Sequence, residues 1–352
     1  MGKLFGNGYL KYLLVLFLTL MFFSSSPSFS IPSSEPNPTS TIEDNHEGRE
    51  TQSEPTVASI SPPESDQQID LFSSENTLSV DLEIHSIPPG EYLVYFDWIS
   101  DGLYLLNGNG AGHDQRVANH WGVFSEDAEH FAYIYENTTL VVIELEGMSI
   151  TQVPLDLRCY NPPSWSVSGD RLAIECEDNI YIYSLIDSSF IRLTSWGQRS
   201  VDAFLSPIWS PDGSRIAYSY RQLSSLAPAP ENGIYITEAG CLSEPELCQE
   251  KTDGPILPYS LTVIFAWSPD SSKLAISEDL RSIRIVEIST YKESIVIDNL
   301  DYIDGLAWSL DGDWVAYSIN GNIYKVSSGG GEPVLLAEDK GYVATWIMKI
   351  AE

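Results

Sequence analysis

The block Trp209-Ser-Pro-Asp-Gly-Ser-Arg-Ile-Ala-Tyr218 decides the fold that this sequence predicts. Related blocks begin at Trp165, Trp267 and Trp308, and a weaker copy begins at Phe124. The copies are spaced by roughly 40 to 60 residues, a period typical of propeller blades or helical arrays. Because a Ser-Pro-Asp-Gly turn would break a helix in each array unit, the repeat favours a propeller.

One copy shows the local structure of the repeat. Pro211 and Asp212 suit the central positions of a type I turn, and Gly213 suits the left-handed residue that follows it. At this position in the next copy, Ser271 is expected to tolerate replacement by Gly without loss. Residues 215–220 then alternate with a period of two, which indicates a strand, and third and fourth strands follow, for example at 234–236 and 190–193. Four antiparallel strands make one propeller blade.

The number of copies predicts how the ring closes. The first-strand anchor occurs six times, the last time at Trp346, and the second-strand pattern also occurs six times, beginning near residues 93–95. The chain therefore starts in the second strand of one blade and ends with an unpaired first strand at 342–349. The sequence predicts an all-β fold, a six-bladed β-propeller of four-stranded blades over residues 77–352, closed by the C-terminal strand.

The repeated block resembles that of the TolB-type propellers and of the propellers of dipeptidyl and prolyl oligopeptidases. The resemblance covers most of residues 90–352 and is specific for the fold. It is not specific for function, because the motif residues occupy turn and core positions. The Gly-x-Ser-x-Gly elbow of the peptidases' hydrolase domain does not occur in the sequence, so the resemblance does not imply their catalytic activity.

The composition narrows the class of partner. The chain has 50 acidic and 18 basic residues and a formal net charge of −32. Such a charge argues against nucleic acid and against an anionic membrane surface, both of which attract Lys and Arg. A protein or peptide partner, in particular a basic one, is expected, together with a monomeric chain and no cofactor.

The N-terminal region reads as an export segment and a linker. Residues 1–30 predict a signal peptide, because an apolar run at 12–23 follows Lys3 and Lys11 and precedes small residues at 28–30. Residues 31–76, rich in Ser, Pro and Glu, predict a disordered tether. The protein is therefore expected to be exported (periplasmic, secreted or at the cell surface), with no stable membrane span after cleavage. An uncleaved anchor is the alternative.

Four cysteines fit an exported protein. Cys159 and Cys176 lie nearly symmetrically about the turn at 168–169, and Cys241 and Cys248 bracket a short segment of the largest insertion. Two local disulfides are predicted. A site of four thiolates is the alternative, but neither pair has the spacing of zinc ligands. The histidines at 113, 120 and 130 are read as exposed loop residues, so no metal site is predicted.

The candidate site follows from propeller topology. The loops between blades and those between second and third strands share one face, and they carry acidic and aromatic residues, including Trp121, Glu175 and Tyr342, together with Asn161. The residues predicted to contact a partner are Tyr160, Tyr220, Arg221, Asp301, Tyr302 and Asp304. The predicted function is that of an exported, non-catalytic protein- or peptide-binding module. The alternatives are a solvated acidic rim without a partner, and a propeller enzyme acting on glycans, of the lyase or lactonase type, with no catalytic residue assigned.

Overall fold

The computed structural model describes residues 84, 87–97, 99–107, 114–194, 202–222, 231–257, 264–277 and 280–349. The predicted signal peptide (1–30) and tether (31–76) lie outside these residues. Among the described residues, none of the helices has the length and apolar character that a membrane crossing requires.

Six four-stranded antiparallel sheets form the blades of a propeller, as the repeat predicts. From the innermost strand outward, the blades are: blade 1, β24 (Tyr342–Lys349), β1 (Gly90–Asp97), β2 (Gly102–Asn107) and β3 (Gln115–Ala118); blade 2, β4 (Gly122–Phe124), β5 (His130–Tyr135), β6 (Thr139–Glu144) and β7 (Ser149–Pro154); blade 3, β8 (Ser164–Trp165), β9 (Arg171–Cys176), β10 (Asn179–Ser184) and β11 (Phe190–Arg192); blade 4, β12 (Asp202–Trp209), β13 (Arg215–Gln222), β14 (Gly233–Glu238) and β15 (Thr252–Asp253); blade 5, β16 (Ile264–Trp267), β17 (Lys273–Ser277), β18 (Ile283–Glu287) and β19 (Glu293–Ile297); blade 6, β20 (Ile303–Trp308), β21 (Trp314–Ile319), β22 (Asn322–Ser327) and β23 (Val334–Ala337).

The C-terminal strand closes the ring. β24 pairs antiparallel with β1, with Trp346 opposite Leu93, so the first blade is built from both ends of the propeller. A hydrophobic cluster joins each pair of neighbouring blades; the one between blades 6 and 1 contains Leu93, Trp346, Ala316 and Ile323. The predicted closure is confirmed.

The repeated residues carry the packing between blades. The second-strand alanines that recur in the repeat are fully buried, which lets neighbouring sheets approach closely (Ala132, Ala173, Ala217, Ala275 and Ala316). Two of the repeated tryptophans also donate across a blade boundary. Trp165 Nε1 donates to the carbonyl of Val123 and Trp267 Nε1 to that of Ile208, each at 3.1 Å.

The turn between first and second strands has the predicted form. Gly213 has a φ of +71°, and its N–H donates to the carbonyl of Ser210 at 2.8 Å. The Asp212 carboxylate accepts hydrogen bonds from the Ser210 hydroxyl at 2.6 Å and from the Ser214 N–H at 2.9 Å. The aspartate therefore serves the hairpin, because it satisfies polar groups of its own turn.

The corresponding turn of blade 5 contains a contact that the repeat did not predict. Ser271 has a φ of +57° and is fully buried, and its hydroxyl accepts a hydrogen bond from the Asp212 N–H at 2.9 Å. Its carbonyl accepts one from Arg215, whose guanidinium lies 5.1 Å from the centre of the Trp267 ring. These contacts argue against the expectation that Gly would serve equally well at 271, because the serine hydroxyl joins the turns of blades 4 and 5.

Both predicted disulfides are present. Cys159 and Cys176, 4.0 Å apart at Cα, tie the segment before β8 to the end of β9. Cys241 and Cys248 tie two short 3₁₀ helices, Ala239–Ser243 and Pro245–Leu247, in the blade 4 insertion.

Candidate functional site

The innermost strands of the six blades line a central channel with a volume of about 440 Å³. The face at which these strands begin is called the loop face, and it carries the connections between blades. The opposite face, called the turn face, carries the turns that contain Gly169, Gly213, Ser271 and Gly312. The predicted partner-binding residues follow or precede strands at the loop face, so the candidate site is the channel mouth on that side.

Bulges distort three innermost strands near the loop face. The pairing shifts between Leu205 and Ile208 in β12, between Ile303 and Gly305 in β20, and opposite Val94 and Tyr95 in β24. The residues skipped in the pairing, which all line the channel, are Ser206, Pro207, Asp304 and Ala344. A bulge changes the direction of its side chains, so these strands depart from regular alternation where the channel opens.

Asp304 is the central acidic group of this mouth. Its Oδ1 atom is buried and has no hydrogen-bond partner among the described residues, while the Ser318 hydroxyl is hydrogen-bonded to the carboxyl group. Ser318 also accepts a hydrogen bond from the Val343 N–H at 3.1 Å, which links β21 to β24. Burial raises the pKa of the Asp304 carboxyl, although the Ser318 hydrogen bond opposes the rise.

Two aromatic rings stand beside this carboxylate. Trp121 and Tyr342 line the channel, and their rings meet edge to face with centroids 6.1 Å apart. Burial, followed by the charge of Asp304, raises the pKa of the Tyr342 phenol to about 12, and a hydrogen bond with Trp121 opposes the rise. The phenol is therefore neutral at physiological pH. These two rings form the aromatic wall of the mouth.

Glu175 is a second buried acid, and its contacts are within the protein. Its side chain accepts hydrogen bonds from Asn161 Nδ2 at 2.9 Å and from the Ser206 N–H at 3.0 Å. Burial raises its pKa, opposed by these two hydrogen bonds and, more weakly, by the charge of Arg221. Ser206 has a φ of +54° and lies in the bulge of β12, and Asn161 lies in the loop before β8. Because Glu175 is hydrogen-bonded to both residues, it ties the bulge to that loop.

The charges along the described channel wall are all negative. Asp304 lies towards the loop face and Glu126 towards the turn face, and the described lining contains no Lys or Arg. Most other lining side chains are apolar or aromatic. In the part of the chain that the structure describes, no group of three or more His, Cys, Asp or Glu residues is arranged to hold a metal ion.

The predicted contact residues fall into three environments. Tyr160 and Tyr302 are 52% and 55% exposed, and Asp301 is also exposed. Arg221 is half-buried beside Glu175, and Asp304 lines the channel. Of these residues, Asp304 lines the described channel, and the others lie on the loop face outside its lining.

Tyr220 requires a correction. It is fully buried and packs edge to face against Tyr235 with ring centroids 6.0 Å apart. The second strand β13 extends to Gln222, so residue 220 lies within a sheet that is covered on both sides. Its ring is not available to a partner at the surface.

The sequence predicts three further residues on the loop face that are not among its predicted contacts. They are Trp121, Glu175 and Tyr342. The repeat itself contains a signal for two of the mouth's positions. Asp304 and Tyr342 each stand four residues before a repeated tryptophan, Trp308 and Trp346. Equivalent positions at the start of innermost strands approach one another around a propeller axis.

No family model matches the sequence, and no curated protein is significantly similar to it. Among solved structures, TolB from Acinetobacter baumannii matches with a TM-score of 0.54 and 16% identity over 73% of this chain and 66% of that chain. The likeness is one of fold. An oligogalacturonate lyase in complex with manganese (TM-score 0.48, 14% identity, 73% of this chain and 79% of that one) and the Cps50 (Swd1) β-propeller domain of Myceliophteria thermophila (TM-score 0.47, 13% identity, 71% and 87%) are also similar.

Proposed function

We propose that this protein is an exported, non-catalytic β-propeller whose loop face binds a protein or peptide partner. Both cysteine pairs form disulfides, which suits a protein that works in an oxidising compartment.

The observation that carries the proposal is the exposure of two tyrosines at the channel mouth. Tyr160 precedes the innermost strand of blade 3 and Tyr302 that of blade 6, and each is more than half exposed. Blades 3 and 6 face each other across a six-bladed ring, so the two rings stand on opposite sides of the channel. Tyrosine buries a large area at a small entropy cost, which is why it is frequent among binding anchors.

Charge favours a basic partner. The chain carries a net charge of −32, and Asp301 and Asp304 lie on either side of Tyr302 in sequence. Long-range attraction accelerates the approach of a positively charged protein, and added salt screens it. The association rate with the partner should therefore fall as ionic strength rises, and the dissociation rate should change less.

The test begins with affinity capture from an envelope extract with the full chain as bait. We expect Tyr302→Ala, and the double variant Asp301→Asn with Asp304→Asn, to weaken capture of the recovered partner by about tenfold or more. Tyr291→Ala is the matched control, because Tyr291 is 50% exposed in the connection between β18 and β19 on the turn face. Unchanged binding in both loop-face variants would move the site elsewhere. Turnover of an oligogalacturonate by the purified chain would favour the glycan-acting enzyme instead.

A further inference from the structure

We infer that the channel mouth is a pocket for a single cationic side chain, a lysine ammonium or an arginine guanidinium, held between the Asp304 carboxylate and the aromatic wall of Trp121 and Tyr342. The inference rests on the proposed function, because it names the chemical group that a protein partner would present to this site.

The first support is the state of the Asp304 carboxylate. It occupies the bulge of β20, and the next residue is a glycine whose missing Cβ leaves room for the backbone of Val343. Oδ1 is buried with no hydrogen-bond partner among the described residues, and no basic side chain lines the described channel wall. A half-buried carboxylate with a shielded, unsatisfied oxygen and no counter-charge is unfavourable, and an incoming cation supplies both the charge and the donor that Oδ1 lacks.

The aromatic wall supplies the second support. The faces of Trp and Tyr rings attract ammonium and guanidinium groups that approach within about 6 Å of the ring centre. Trp121 and Tyr342 border the same channel as Asp304, and the carboxylate is close enough to raise the pKa of the Tyr342 phenol. A carboxylate beside aromatic rings is the combination by which proteins recognise organic cations.

The composition of the wall favours an organic cation over a metal ion. Calcium requires about six to eight oxygen ligands, whereas Asp304 is the one carboxylate at the loop-face end of the described channel lining. Apolar side chains, among them Val123, Ile208 and Ile264, continue the wall below the mouth. Such a surface accommodates the methylene stem of a lysine or arginine whose charged end reaches Asp304.

The experiment titrates the full chain with three small probes and measures dissociation constants by protein-detected NMR. The probes are N-acetyl-lysine amide, N-acetyl-arginine amide and N-acetyl-norleucine amide, the last a neutral probe of similar chain length. We expect the cationic probes to bind about tenfold or more tightly than norleucine. Asp304→Asn should remove that preference, while Asp313→Asn, which changes an exposed carboxylate of the turn face, should leave it within about twofold.

Tyr342 provides a second test that does not depend on the folding of the Asp304 variant. Tyr342→Phe keeps the ring and should retain cation binding, whereas Tyr342→Leu removes the ring and should weaken it about three- to tenfold. Equal binding of lysine and norleucine probes, or a preference that survives Asp304→Asn, would overturn the inference. Binding of calcium at the mouth with no binding of the lysine and arginine probes would overturn it as well.

The outcomes separate this inference from the proposed function. Capture of a partner that depends on Tyr302, with no binding of any cationic probe, would reject the cation pocket and leave the proposed function standing. Probe binding that depends on Asp304, with no partner captured, would support the pocket and reject the wider binding face.

Discussion

The carboxylates of the two faces differ in what surrounds them. On the turn face, Asp270 and Asp311 each accept hydrogen bonds from the serine two positions earlier and from a backbone N–H of the turn. On the loop face, Glu175 is buried and Asp304 is half-buried, with an Oδ1 atom that no described group satisfies. The same chemical group therefore completes hairpins on one face and, at Asp304, leaves an unsatisfied oxygen on the other.

The pKa values of these hairpin aspartates and of the two loop-face acids also differ in direction. Hydrogen bonds from Ser268 and Ser309 lower the pKa of Asp270 and Asp311. At Asp170 and Asp212 burial acts in the opposite sense, but the hydrogen bonds outweigh it and the pKa is again lowered. Burial raises the pKa of both Glu175 and Asp304. The comparison teaches that acidity by itself does not mark a site, whereas a carboxylate with a buried oxygen that no described group satisfies points to a ligand.

The largest effect is expected at Glu175, where a buried acid has a structural role. Glu175→Ala removes the acceptor of the Asn161 and Ser206 hydrogen bonds and should lower the free energy of unfolding by about 2–3 kcal/mol. Urea denaturation measures the change. Glu175→Gln keeps an acceptor oxygen and should recover most of the loss, and exposed Glu177→Ala is the control. A glutamine variant no more stable than the alanine variant would contradict this role.

A change of intermediate size in the free energy of unfolding is expected at Ser271 on the turn face. Ser271→Gly removes the acceptor for the Asp212 N–H and should lower the free energy of unfolding by about 1 kcal/mol, since glycine relieves the left-handed backbone but cannot replace the hydrogen bond. Urea denaturation again measures it. Ser271→Ala, which loses the bond and keeps the strain, should be less stable than Ser271→Gly. A glycine variant as stable as the parent would show that the contact between blades 4 and 5 contributes nothing.

The smallest effect on the free energy of unfolding is expected when an aspartate is replaced by asparagine, and its sign should differ between the two faces. The folded-state pKa of Asp304 is raised, so its ionised form opposes folding at pH 7, and this penalty disappears as the pH falls towards the ordinary value of 3.8. Asp304→Asn should therefore raise the free energy of unfolding at pH 7, and the gain should vanish near pH 4.

Asp311→Asn is the matched comparison for that measurement. The pKa of Asp311 is lowered, so its ionised form stabilises the fold above 3.8, and that stability is lost as the pH falls through the folded-state pKa. Its replacement should destabilise at pH 7. Urea unfolding of both variants at pH 4 and pH 7 gives the two signs, and a common sign at pH 7 would erase the distinction between the faces.

The sequence predicted the elements that repeat. Four of the blades were predicted from the repeated tryptophans Trp165, Trp209, Trp267 and Trp308, and the closing strand was predicted from Trp346. The spacing of the cysteines predicted the two disulfides. The sequence did not predict the departures from the repeat. The strand predicted to end at Tyr220 continues to Gln222, so that residue is buried within the sheet. The bulge that carries Asp304 is a change in register within the β20–β21 hairpin, where Gly305 packs against the backbone of Val343 in the distant strand β24.

The closing strand also makes the mouth a late product of folding. Tyr342 lies in β24, which pairs with β1 although the sequence of the other blades lies between the two strands. Pairing between segments so far apart in sequence is slow to form. A chain in which β24 has not yet paired with β1 contains Asp304 but lacks the Tyr342 side chain in its place at the mouth. Recognition at this site would then report on completion of the whole propeller, so that partly assembled molecules are poor competitors for the partner.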